Sequence, residues 1–107
     1  MNKKFNSIPP ELLEKYKKNI PKKLEQIQSL IKKLKQQKDV SVLNELHLQI
    51  HKLAGNAKLY GYSSVSHLCK KMDAELTERK KTFEKEFPDN FLVVLEDFYQ
   101  KLEKEFL

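Results

Sequence analysis

The 107-residue sequence predicts an all-α protein, an antiparallel up-and-down four-helix bundle with a short N-terminal capping helix. Three observations point there. Only two glycines, Gly55 and Gly61, accompany four prolines, too few residues with cheap positive φ for the many tight turns of a sandwich or barrel. Apolar residues recur at intervals of three and four along most of the chain. The single cysteine, Cys69, excludes an internal disulfide framework and a four-thiolate metal site, and fits a reducing compartment. At this length one domain is expected over residues 1–107, with its core bundle over about residues 10–105.

Ser7-Ile8-Pro9-Pro10-Glu11 reads as a helix start, with proline pre-set for the first turn and an acid facing the positive end of the helix dipole. Leu12, Leu13, Tyr16 and Ile20 follow at helical spacing. Pro21 has no N–H to donate, so it is expected to separate this short capping helix from the next one. That second helix carries Leu24, Ile27, Ile31 and Leu34 on one side as far as Lys38. Asp39 and Ser41 offer N-cap oxygens for a third, in which Leu43, Leu46, Ile50, Leu53, Ala57 and Tyr60 keep the rhythm until Gly61 ends it. Ser63 or Ser64 is expected to cap a fourth helix with Val65, Leu68, Cys69, Met72 and Leu76 on its apolar side. Pro88-Asp89-Asn90 punctuates before a last helix bearing Phe91, Leu95, Phe98, Leu102 and Phe106.

Charge and motifs narrow the function. Twenty-one basic against fifteen acidic residues leave a net charge of +6, but the lysine pairs are spread over every helix among glutamates, and there is no tryptophan and no arginine cluster for base readout. This reads as a solvated surface, with neither nucleic acid nor membrane as partner. No window approaches the ~20 consecutive apolar residues of a membrane span. Met1 to Asn6 are basic enough to open a signal peptide, but Pro9, Pro10, Glu11 and Glu14 interrupt the apolar stretch it would need. A cytoplasmic location and a monomer are expected. No phosphate-cradling Gly-x-x-x-x-Gly-Lys-Ser/Thr stretch occurs, so no kinase activity of its own is expected, and the chain is read as a non-enzyme.

The third helix carries the chemistry. At ~100° per residue, His51 falls outside the main apolar stripe, with Asn44, His47, Gly55 and Lys58 within about 40° of it and Ala54 about 60° toward the core side. A glycine inside a helix costs about 0.5–1 kcal/mol relative to alanine, so Gly55 needs a reason. Either it clears space beside the imidazole for an approaching group, or it permits tight packing against a neighbouring helix. Leu48 and Leu59 lie away from the main core side; exposed, they form an apolar shoulder suited to docking, and covered, they are ordinary core.

The stretch His51-Lys52-Leu53-Ala54-Gly55-Asn56-Ala57-Lys58-Leu59-Tyr60-Gly61 resembles the signature of histidine-containing phosphotransfer (HPt) domains: a histidine, a leucine two later, a glycine four later and a second glycine ten later. The resemblance extends over roughly residues 10 to 105, including Tyr16, Ile20-Pro21 and Leu24, and Leu68-Cys69 with Glu75 on the following helix. It implies a phosphocarrier in a multistep two-component phosphorelay. His51 would take a phosphoryl group from a receiver-domain aspartate and pass it to another, with response regulators and a hybrid sensor kinase as the partners. Neutral imidazole is a competent nucleophile near pH 7. Such transfer needs in-line approach and charge neutralisation more than proton chemistry, so the carrier needs no cofactor and the Mg2+ and acidic pocket belong to the receiver. The basic surface would then assist docking by electrostatic steering.

The sequence departs from the family pattern. Ala54 stands where members usually carry a lysine that holds the phosphoryl oxygens, Asn56 where Ser or Ala is common, and Lys58 where a small residue is common. Lys58, or Lys52, is therefore the expected substitute cation, with Asn56 as a further phosphoryl-supporting residue. Gly55, Gly61 and Ala54 are the access and motif positions, and His47, Leu48 and Leu59 the expected docking contacts. Without a cation the domain would become a non-transferring adaptor that only binds receivers. A zinc site from His47, His51, His67 and Cys69 is the remaining reading; Cys69 falls in the apolar stripe and no carboxylate accompanies the pair, so no metal is expected.

Overall fold

The three-and-four spacing becomes four helices in the computed structural model, which describes residues 8–83 and 89–106: α1 (Pro10–Gln36), α2 (Val40–Leu59), α3 (Ser63–Lys80) and α4 (Asp89–Phe106). No strand occurs among the described residues. Residues 1–7, with the basic start and Ser7, and Pro88 of the last expected turn lie outside them.

The separate capping helix is corrected. α1 runs unbroken from Pro10 to Gln36 with Pro21 inside it. Tyr16 and Ile20 before the proline and Ile27, Ile31 and Leu34 after it are buried on one continuous stripe. An interior proline costs about 3 kcal/mol, whereas each buried aliphatic or aromatic side chain contributes roughly 1.5–3 kcal/mol. Packing on both sides therefore outweighs the local break. Pro21 itself is exposed, as is Lys17, whose carbonyl loses the N–H four residues on.

α2 starts as its sequence suggests. Asp39 is extended, and its carboxylate accepts from the backbone N–H of Ser41 at 2.9 Å and from its hydroxyl at 3.0 Å. The helix ends in a Schellman turn: Gly61, at φ +89°, donates to the carbonyl of Lys58 at 3.2 Å and Tyr62 to that of Ala57 at 2.8 Å. The turn delivers the chain directly into α3. The expected serine cap there is corrected, because the capping position is Tyr62 and no side chain bonds the first turn.

The core gathers Ile27, Ile31 and Leu34 of α1, Leu43, Leu46, Ile50, Leu53, Ala54 and Ala57 of α2, Val65, Cys69, Met72 and Leu76 of α3, and Phe91, Leu95 and Leu102 of α4. Tyr60, Leu68 and Phe106, expected in the core, are only half-buried, and Leu12 is exposed. Ser66 is buried and donates to the carbonyl of Ala54 at 2.8 Å. Partners along α2 and α3 come in opposite order: His47 meets Lys80, His51 meets Asp73, and Ala54 meets Ser66. The end of α1 joins the first half of α4 through Lys35 and Glu96 at 2.8 Å. At the other end Tyr16 stacks on Tyr60 with ring centroids 4.2 Å apart, and Tyr62 meets Phe106 at 5.1 Å. The fold thus holds α2 and α3 side by side and leaves the face that bears His51 uncovered.

Candidate functional site

His51 lies past the middle of α2, and its side chain is 70% exposed. Its Nδ1 lies 2.8 Å from Oδ2 of Asp73 on α3. The other oxygen of Asp73, Oδ1, makes a short hydrogen bond to Nε2 of His47, one turn earlier on α2. Lys80 Nζ lies 3.1 Å from the remaining nitrogen of His47, Nδ1. Asn44 and Leu48 of α2 and Thr77 of α3 complete the lining of the open groove, about 580 Å³, in which these groups meet.

The donors and acceptors can be assigned. Partial burial pushes the Asp73 carboxyl up, but the hydrogen bonds from His51 and His47, with the charge those rings can carry, outweigh it and hold the group below the ordinary carboxylate value. It is ionised at neutral pH and can only accept, so Nδ1 of His51 and Nε2 of His47 are the protonated nitrogens. Lys80 then donates to the lone pair on Nδ1 of His47. Nε2 of His51 has no hydrogen-bond partner among the described residues.

The surroundings match the expectations unevenly. Gly55 is exposed, and a Cβ built there meets no atom within 4 Å. Helix packing therefore does not explain this glycine, and the space beside His51 is open. Leu48 and Leu59 are both exposed. His47, expected as a surface contact, has a side chain only 16% exposed and is engaged through both ring nitrogens. Ala54 is buried against α3. Lys52, Asn56 and Lys58 are exposed, and neither lysine makes an ion pair among the described residues. Gly61 is the helix terminus and lies outside the groove. Cys69 is fully buried, and burial pushes its thiol up to about 12. No group of three His, Cys, Asp or Glu suited to hold a metal occurs among the described residues.

Asp73, Thr77 and Lys80 escaped the sequence reading. Their spacing of four and three puts them on one face of α3, beside the apolar stripe. That polar stripe is the signal available in the sequence, and only its facing α2 shows what it serves.

A histidine presented on an open helix face, backed by a carboxylate from the next helix, can act as a nucleophile toward a group brought to it from outside the chain. A family model of the Hpt domain matches residues 11–105. The chain belongs to the Hpt domain family. Among curated proteins and solved structures nothing matches it. Hpt domains take part in phosphorelay phosphotransfer, act as phosphocarriers rather than enzymes, and interact with receiver domains. The all-helical fold agrees with an Hpt bundle, and no described helix is long and apolar enough to cross a membrane.

Proposed function

We propose that the chain is the phosphocarrier of a multistep two-component phosphorelay, built as an antiparallel up-and-down bundle and carrying the phosphoryl group on His51. The observation that carries this reading is the exposed His51 ring, with Nδ1 tied to Asp73 and open space over Gly55 one turn later on the same helix. In the forward step the Nε2 lone pair attacks the phosphorus of a receiver's aspartyl phosphate. The N–P bond forms, the acyl P–O bond breaks, and the receiver's aspartate leaves as carboxylate. His51 keeps its Nδ1 proton, so the ring becomes cationic while bonded to the phosphoryl dianion. Asp73 stabilises that ring charge, as a preorganised carboxylate does for any developing imidazolium.

The partners in this reading are receiver domains of response regulators and of a hybrid sensor kinase, which bring the Mg2+ and acidic pocket; the carrier needs no cofactor. Leu48 and Leu59 supply the apolar docking contacts, and Gly55 lets the receiver's loop approach. Lys58 or Lys52 reaches back to the phosphoryl oxygens in place of the lysine that Ala54 replaces, and Asn56 lends a polar contact. The carrier acts as a monomer in the cytoplasm.

Buried Ala54 favours a second reading, an adaptor that binds receivers without transfer. One experiment separates them. The chain is incubated with candidate phosphorylated receiver domains, and an acid-labile, base-stable phosphoryl label that disappears in His51→Gln is the expected result. Binding without label supports the adaptor, and equal label in wild type and His51→Gln overturns His51 as the acceptor.

A further inference from the structure

Two histidines share one carboxylate in the groove, yet a phosphocarrier uses only one of them. His47 is no second acceptor, because Nε2 is bound to Asp73 and Nδ1 to Lys80. The same engagement leaves it no lone pair for a metal. Its position suggests another role. Exposure falls along the chain of hydrogen bonds, from 70% at the His51 side chain to 23% at Asp73 and 16% at His47, so the rigid end is the one away from the reacting ring.

We propose that His47, clamped by Lys80, is a positioning residue for His51: it fixes the Asp73 carboxylate so that Oδ2 holds His51 in its Nδ1–H tautomer with Nε2 facing a partner. The polarity is consistent along the whole chain. The Lys80 ammonium has only protons to give, so it requires a lone pair on Nδ1 of His47. The proton of His47 is thereby placed on Nε2, where Asp73 Oδ1 accepts it. A carboxylate held at one oxygen only can turn about its Cβ–Cγ bond, whereas held at both it cannot turn without losing a bond. Thr77 lies 3.5 Å from Nε2 of His47, too far for a strong competing bond, and its hydroxyl donates instead to the backbone carbonyl of Asp73 at 3.0 Å. An exposed imidazole without such a partner would exchange between tautomers and orientations, and only one places a lone pair outward on Nε2.

The kinetic part of this proposal rests on the phosphocarrier reading; the tautomer part does not. Long-range proton–nitrogen correlation spectra of the 15N-labelled full chain, recorded over a pH series so that the neutral ring is identified by its own nitrogen shifts, report the tautomer directly. Wild type is expected to show His51 as Nδ1–H. His47→Leu is expected to shift it to a tautomer mixture, and Lys80→Met to move it part of the way. His47→Gln, whose amide can still donate to Asp73, recovers the wild-type signal. Phosphoryl transfer from a phosphorylated receiver domain should fall about tenfold in His47→Leu and recover in His47→Gln. A folded His47→Leu protein with the wild-type His51 tautomer overturns the proposal. A His51 tautomer that responds to His47 in a chain no receiver phosphorylates upholds the positioning role and removes the phosphocarrier reading.

Discussion

Gly55 sits inside the unbroken α2 one turn after His51, and a Cβ there would meet nothing within 4 Å among the described residues. Its conformational freedom lowers helix stability, and no packing contact among the described residues compensates. Alanine there should raise the unfolding free energy by about 0.5–1 kcal/mol in urea titrations. Gly55→Gln should keep the helical content and slow transfer from receiver domains, because its side chain occupies the approach to Nε2. A folded Gly55→Gln with unaltered transfer would refute the access role. The sequence raises the question at this residue but leaves both answers open, since whether a helix packs beside Gly55 depends on residues far along the chain.

At the scale of elements, local chemistry reads accurately where the partners are close in sequence. The Asp39 cap joins residues two apart, and the Schellman turn at Gly61 spans six positions, so both are legible along the chain. Pro21 is the counterexample. The rule that proline ends a helix is local, and the apolar stripe of α1 overrules it by packing on both sides of the proline. Tyr62, at the capping position where a serine was expected, is a smaller case: the Schellman turn already sets the entry into α3. The glycine inside α2 and the one just past its end should behave oppositely. Gly61 sits at φ +89°, a conformation that costs a side chain about 1–2 kcal/mol. Gly61→Ala should therefore lower stability by roughly that amount, visible as a shifted urea midpoint at constant m.

For the whole molecule, Cys69 is a natural reporter. It is fully buried among the four helices, and burial pushes its thiol up to about 12. A thiol reagent at pH 8 should label it only when the bundle opens, so the labelling rate should track global stability and rise with urea in parallel with unfolding. Labelling that is fast and independent of urea would mean that the core opens locally at α3. The net charge of +6, by contrast, says little about the fold, since the lysines lie on every helix.

The four-helix content, the apolar stripes, the cap at Asp39, the terminus at Gly61 and the histidine motif follow from residues a few positions apart, and the periodicity of one helix suffices to place them. Tertiary structure alone decides the rest. It carries α1 through Pro21, buries Ala54 against Ser66, leaves Leu48 and Leu59 exposed, and sets Asp73 against His51 across 22 positions. Each of these depends on the register between helices. That register is set by how whole apolar faces interlock, which is a property of pairs of helices and of neither sequence alone.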